Sequence, residues 1–136
     1  MPKMPRDAAQ KAIYGEKLDD ILDDFQQQKN WTKDRVLVAD TWYRNFLWLS
    51  YLHLDHPVFA IYKDSDDLWH AHMLYTKRYR EFVVPIFGQF LNHTPIVGRV
   101  TFSDVEQFER AMNWYDAEFA RSPLGVPLTS FVSQCY

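Results

Sequence analysis

Cysteine is almost absent from this sequence, which contains 136 residues and a single thiol, Cys135. One cysteine cannot form an internal disulfide, and it excludes a zinc site built on several thiolates. The sequence assigns no role to Cys135 itself.

Long apolar runs and an excess of charge of one sign are also missing. No apolar run approaches the length that spans a membrane, and residues 1–6 lack the apolar core of a signal peptide. The formal net charge is −3, and the acids and bases are mixed, so there is no basic stripe of the kind that nucleic acid requires. The basic cluster of Lys77, Arg78 and Arg80 is interpreted as the solvated face of a helix. These absences predict a cytoplasmic protein with neither a membrane nor a nucleic acid as partner.

Glycine is scarce, with four residues in the chain, and the alternating pattern of half-buried strands is hard to find. Helical periodicity is frequent instead. Hydrophobic residues make up 47% of the chain and aromatic residues 17%, so a domain of this length can bury a large, ring-rich core. We therefore predict an all-α fold in which residues 1–136 form a single helical domain. Its architecture is a compact bundle of about four main helices with an extended C-terminal strap.

The four predicted helices follow from the spacing of apolar residues. The second follows the cap candidate Thr32, is apolar around most of its circumference and should be the most buried. Asp40 and Arg44 lie four residues apart on it and are expected to pair. The fourth helix starts at an apparent capping box, Ser103-Asp104-Val105-Glu106. The helices are expected at about residues 7–28, 33–54, 64–84 and 103–121.

The connections are marked by proline, glycine and acidic residues. The third helix should begin near Asp64 or Ser65, with Asp64 as its N-cap, and should end before Pro85, because a residue that precedes proline is pushed out of the helical region. The remaining predicted segments are a short extended piece at 58–62, a helical turn at 85–91, a loop at 92–101 and the strap at 123–136.

All five histidines lie between positions 53 and 93, and imidazole suits both metal binding and proton transfer near neutral pH. His53 and His56 come at the end of the second helix. A histidine in the last helical turn complements the helix dipole, so we interpret this pair as structural.

His70 and His72 cannot hold one metal ion together from a regular helix, because residues two apart are separated by about 200° around its axis. His72 shares the apolar stripe that faces the core, where a tyrosine or a backbone carbonyl satisfies its ring or it binds a metal together with His93. His70 lies on the polar side with Asp66, four residues earlier, which either orients the imidazole or joins it as a ligand.

The candidate metal ligands are therefore His70, His72, His93 and Asp66. Two imidazoles and one carboxylate suit Fe, Zn or Cu, and an open coordination position would allow chemistry. Trp69 and Tyr79 are expected to line the binding pocket. This hypothesis describes a small metal-binding protein or metal-dependent enzyme acting on a small-molecule substrate.

Two other hypotheses stay open. In the first, the chain is a non-catalytic module that binds a protein partner through an exposed aromatic patch of Trp69 and Trp114, and its histidines are structural. In the second, a histidine acts as a general base without a metal, although no serine or cysteine stands in a recognisable nucleophile motif. There is also no phosphate loop and no dinucleotide fingerprint.

Residues 66–73 (DDLWHAHM), Tyr79 and residues 87–95 (FGQFLNHTP) resemble the glycine-rich domain-containing protein-like family. Its members carry an acid, Trp-His-x-His, a spaced tyrosine and a Phe-Gly…His segment. The resemblance covers roughly residues 42–119 and implies that Asp66, His70, His72 and His93 are signature residues, with no general activity attached to them. The glycine-rich tail of plant members is absent, and Asn92 stands where bacterial members commonly have a second histidine.

Overall fold

The structure, a computed structural model, describes residues 2–93 and 99–119. These residues contain six helices and no strand, which confirms the predicted all-α fold. The segment 58–62 is irregular rather than a strand. The predicted strap and Cys135 lie outside the described residues. The helices are α1 (Arg6–Gly15), α2 (Asp19–Lys29), α3 (Lys33–Leu52), α4 (Lys63–Leu74), α5 (Thr76–Phe87) and α6 (Phe102–Phe119).

Helix α3 is the centre of the bundle, as its nearly continuous apolar circumference predicts. It packs against α1, α2 and α4. Thr32 caps it, because its hydroxyl oxygen accepts the backbone N–H of Arg35 at 3.2 Å. The main core lies among α1 to α5, and a second cluster forms where Tyr115 of α6 stacks on Trp42 of α3, with 4.4 Å between the ring centroids. No helix in the described part of the chain is long and apolar enough to cross a bilayer.

The first predicted helix is wrong in one respect, because residues 7–28 form two helices instead of one. Helix α1 ends at Gly15, and Glu16 adopts an extended conformation. The guanidinium of Arg44 donates to the carbonyls of Ile13 and Glu16 at 2.8 and 2.9 Å. These carbonyls would accept from the chain's own N–H groups if the helix continued, so Arg44 satisfies the end of α1 from another helix. Arg44 also contacts Asp40 at 3.0 Å, which confirms the predicted pair.

The third predicted helix is likewise two helices, α4 and α5, which meet at Tyr75. The ψ angle of Tyr75 is 66°, outside the helical region, and its side chain is exposed. Because Leu68 and His72 before the break and Tyr79 and Val83 after it are all buried, the apolar stripe gives no sign of the interruption.

Helix α5 runs through Pro85 to Phe87, so the expectation that the helix ends before the proline is also wrong. Pro85 is exposed and lies in the last turn, where its missing N–H removes only one helical hydrogen bond. Burial of Ile86 and Phe87 favours the extra turn. Gly88 ends it in the left-handed conformation (φ 70°), with its N–H donating to the carbonyl of Val84 at 2.9 Å.

Helix α6 begins one residue before the predicted capping box. Thr101 takes the capping role: its hydroxyl oxygen accepts the N–H of Asp104 at 3.1 Å, and the Asp104 carboxylate accepts the N–H of Thr101 at 2.8 Å. The predicted box on Ser103 and Glu106 is therefore wrong, since Thr101 and Asp104 offer the same spacing two residues earlier.

Candidate metal site

Asp66 and His70 form the helical half of a cluster of possible metal ligands. They lie one turn apart on the same face of α4, so the Asp66 Oδ2 and His70 Nε2 atoms approach to 3.5 Å. Both side chains reach solvent, and that of His70 is 52% exposed. This is the pairing that their spacing in the sequence predicts.

His93 supplies the other half from the non-helical segment that follows α5. Its Nε2 atom lies 2.8 Å from Asp66 Oδ1, and its ring centroid lies 4.3 Å from that of His70. One ligand atom from each of Asp66, His70 and His93 lies within 4.8 Å of the other two. Among the described residues, this is the one such group of three or more ligand-type side chains.

Trp69 and Tyr79 lie directly behind this cluster. The Trp69 indole stacks on the His93 ring, with centroids 4.3 Å apart and planes 25° apart. Trp69 is only 5% exposed, so the predicted exposed patch of Trp69 and Trp114 is wrong. Trp114 is half-buried elsewhere, where it stacks on His53 at 3.8 Å.

His72 does not join the cluster. It is buried among the helices, and its Nδ1 atom and the Tyr43 hydroxyl form a hydrogen bond of 2.7 Å. Burial lowers the pKa of His72 to about 4, and the more distant cations Arg78 and Arg44 act in the same direction. The imidazole is therefore neutral at pH 7, and burial raises the pKa of Tyr43, so the hydrogen bond joins two uncharged groups.

Acid is expected to destabilise the fold through His72. Its pKa is about 6.5 when unfolded and about 4 when folded, so the unfolded chain binds more protons between these values. The free energy of unfolding should fall by on the order of 3 kcal/mol as the pH drops through this window.

Urea denaturation of the wild type and of His72→Gln between about pH 7 and pH 4 measures the effect of His72 on this dependence. Glutamine can still form a hydrogen bond with Tyr43 but does not titrate, so the stability of the variant should depend less on pH. If the free energy of unfolding changes equally with pH in the two proteins, the pH dependence does not arise from His72.

A cleft of about 1020 Å³ opens beside Asp66, His70 and His93, all three of which line it. The segment between α3 and α4 and the start of α6 form its other walls. The lining is mixed, with apolar side chains such as Phe46, Leu54, Val58 and Phe90 and polar ones such as His56, Gln89, Arg99 and Gln107.

Asp64 was predicted as a helix cap, and this role is wrong. Its carboxylate is buried and accepts two hydrogen bonds from Arg35, at 2.9 and 3.1 Å, and one from the Tyr62 hydroxyl at 3.2 Å. The pair ties α4 to the first turn of α3. Sequence reasoning missed Arg35 because 29 residues separate it from Asp64, and no local pattern links them.

A family model described as UCP032817-like matches residues 7–115. The chain belongs to this family. The resemblance to the glycine-rich domain-containing protein-like family is therefore wrong: a short Trp-His-x-His block and a Phe-Gly…His segment suggested it, whereas the match extends over most of the chain. No curated protein and no solved structure matches the chain.

Proposed function

We propose that this member of the UCP032817-like family binds one divalent transition-metal ion through Asp66, His70 and His93. We further propose that it is a metal-dependent enzyme acting on a small molecule held in the adjoining cleft. The observation that carries the proposal is the convergence of the three ligand atoms, all within 4.8 Å of one another. Two imidazoles and one carboxylate form the ligand set of open, catalytic Fe(II) and Zn centres.

The distances within the cluster suit coordination. Metal–ligand bonds of about 2.1 Å place neighbouring ligand atoms roughly 3 to 3.5 Å apart. Asp66 Oδ1 lies 2.8 Å from His93 Nε2, and Asp66 Oδ2 lies 3.5 Å from His70 Nε2, so each carboxylate oxygen faces one imidazole. His70 is half-exposed and is free to make the remaining adjustment. The carboxylate would also offset part of the metal's charge.

The cleft favours an enzyme over a purely structural metal site. Three protein ligands would leave at least one coordination position open, where a bound metal would supply polarisation of a substrate or activation of water. The volume of about 1020 Å³ is sufficient for a small organic molecule. Phe46, Leu54 and Phe90 would contact its apolar parts, and Arg99 offers a positive charge at the wall.

A second candidate is a protein-interaction module in which Asp66 and His93 form a structural latch without a metal. The observation that favours it is that their hydrogen bond, at 2.8 Å, joins α4 to the segment after α5. A latch of this kind requires neither His70 nor a cleft, so metal binding by a His70 variant separates the two candidates.

The test is a metal analysis of protein purified without an affinity tag, followed by calorimetric titration with Zn²⁺ and Co²⁺. We expect one ion per chain. His70→Ala should lower the affinity by more than the roughly 10- to 100-fold that loss of an outer-shell partner costs. The control is His53→Ala, which removes a histidine that stacks on Trp114 outside both the cluster and the cleft and should leave the affinity unchanged.

Azide added to the Co²⁺-loaded protein should change its visible absorption, because an open coordination position accepts an external ligand. Absence of binding by the wild type, or equal binding by the wild type and His70→Ala, would overturn the metal site. If the protein binds Co²⁺ but azide does not change its visible absorption, the catalytic part of the proposal is overturned.

A further inference from the structure

We infer that Tyr79 is a positioning residue that holds His93 within reach of Asp66 and His70. The inference rests on the proposed metal site and adds to it the group that organises its third ligand. Tyr79 is not among the three ligands, and its effect on a metal would be exerted through the chain that carries His93.

His93 needs such support because no helix holds it. Asp66 and His70 are fixed by the hydrogen bonds of α4, whereas α5 ends at Phe87 and residues 89–93 form no regular structure. A ligand on an irregular segment can occupy many positions, and restricting it to one costs conformational entropy. Contacts that fix the segment in advance remove this cost from metal binding.

The Tyr79 hydroxyl provides the main-chain contact. It donates a hydrogen bond of 2.6 Å to the carbonyl of Leu91, two residues before His93. Tyr79 is 1% exposed, and burial raises its pKa to about 12, which keeps the hydroxyl protonated as a donor. The ring of Phe90 meets that of Tyr79 edge-on at 5.4 Å, so residues before His93 are held through both their backbone and their side chains.

The same hydroxyl also fixes the surface against which His93 packs. It accepts the Trp69 Nε1–H at 2.9 Å, which sets the orientation of the indole. The indole in turn stacks on the His93 ring at 4.3 Å. Tyr79 therefore controls both the backbone that leads to His93 and the plane of its imidazole, and the Nε2 atom faces Asp66 as a result.

The hydroxyl uses its donor and its acceptor at once, so removing it leaves the buried Trp69 N–H and the partly buried Leu91 carbonyl without that partner. Loss of a group that orients a metal ligand typically lowers the metal affinity by roughly 10- to 100-fold. We expect the effect of Tyr79 to fall in that range although it contacts no metal.

The experiment compares the wild type, Tyr79→Phe and Tyr75→Phe by Co²⁺ titration, by the visible spectrum of the Co²⁺ form and by melting without metal. Tyr79→Phe should bind Co²⁺ about 10-fold or more weakly while remaining folded at the titration temperature, with an altered spectrum. Tyr75→Phe is the matched control, because its hydroxyl bonds the exposed Asp24 at 3.1 Å on the surface. It should bind as the wild type does.

A merely structural role for Tyr79 would lower the melting temperature and leave the affinity and spectrum of the folded protein unchanged, and that result would overturn the inference. If Tyr79→Phe does not fold, Trp69→Phe serves instead, because it retains a stacking ring and loses the indole donor. The same loss of affinity is then expected, and wild-type affinity would overturn the inference. Failure of the wild type to bind Co²⁺ identifies failure of the proposed metal site itself.

Discussion

Replacing Trp69 by alanine is expected to lower the free energy of unfolding by about 3–5 kcal/mol, the usual cost of removing a large buried ring. Trp69 is 5% exposed and packs on Phe46 of α3, with centroids 4.5 Å apart. Its loss would leave a cavity between α3 and α4 and would also remove the indole donor to Tyr79. The stacking surface of His93 would vanish with it, so we expect metal affinity to fall together with stability.

Urea denaturation gives the stability, and Co²⁺ titration below the melting transition gives the affinity. Trp114→Ala is the matched control, because Trp114 of α6 is half-buried and stacks on His53 at the C-terminal end of α3. It should cost less stability and leave metal binding unchanged. An equal cost for the two substitutions would contradict the view that Trp69 belongs to the core behind the site.

Replacing Arg44 by methionine is expected to cost about 3–5 kcal/mol, because it leaves a largely buried carboxylate without its counter-ion. The side chains of Arg44 and Asp40 are 11% and 17% exposed. Burial raises the pKa of Asp40 even beside the guanidinium, so Asp40 depends on Arg44 to remain charged. The carbonyls of Ile13 and Glu16 would lose a donor in the same variant.

The double variant Asp40→Asn/Arg44→Met separates these two contributions. Removing the negative charge should restore part of the stability, whereas the two carbonyls at the end of α1 remain without their donor. Thermal and urea denaturation of the single and double variants measures the coupling between the two residues. If the losses of unfolding free energy in the two single variants add up to the loss in the double variant, Asp40 and Arg44 do not stabilise each other.

Features encoded by neighbours in the sequence could be predicted. The Thr32 cap, the buried character of α3 and the Asp40–Arg44 pair depend on residues within one or two turns, and all are present. The approach of Asp66 to His70 follows from the same spacing rule. The breaks at Gly15 and Tyr75 were missed because the apolar stripe continues in phase across each of them.

Contacts between distant residues could not be predicted from one sequence. Helical geometry correctly predicts that His72 faces the core, but it does not identify the residue that contacts it. That residue is Tyr43, 29 positions earlier in the sequence. His93 meets Asp66 and His70 only because α5 ends at Phe87 and the following chain returns towards α4. The position of residues 89–93 depends on the Tyr79 hydroxyl. Its two hydrogen bonds cannot be predicted from the spacing of apolar residues in the sequence.

The division of the proposed ligands between a helix and an irregular segment has a thermodynamic consequence. If the metal is bound as proposed, its binding is linked to the conformation of residues 89–93. Any molecule that binds this segment in its ligating conformation would raise metal affinity, and the metal would raise the affinity for that molecule by the same factor. A substrate in the cleft, which Gln89, Phe90 and His93 all line, would then be bound cooperatively with the metal.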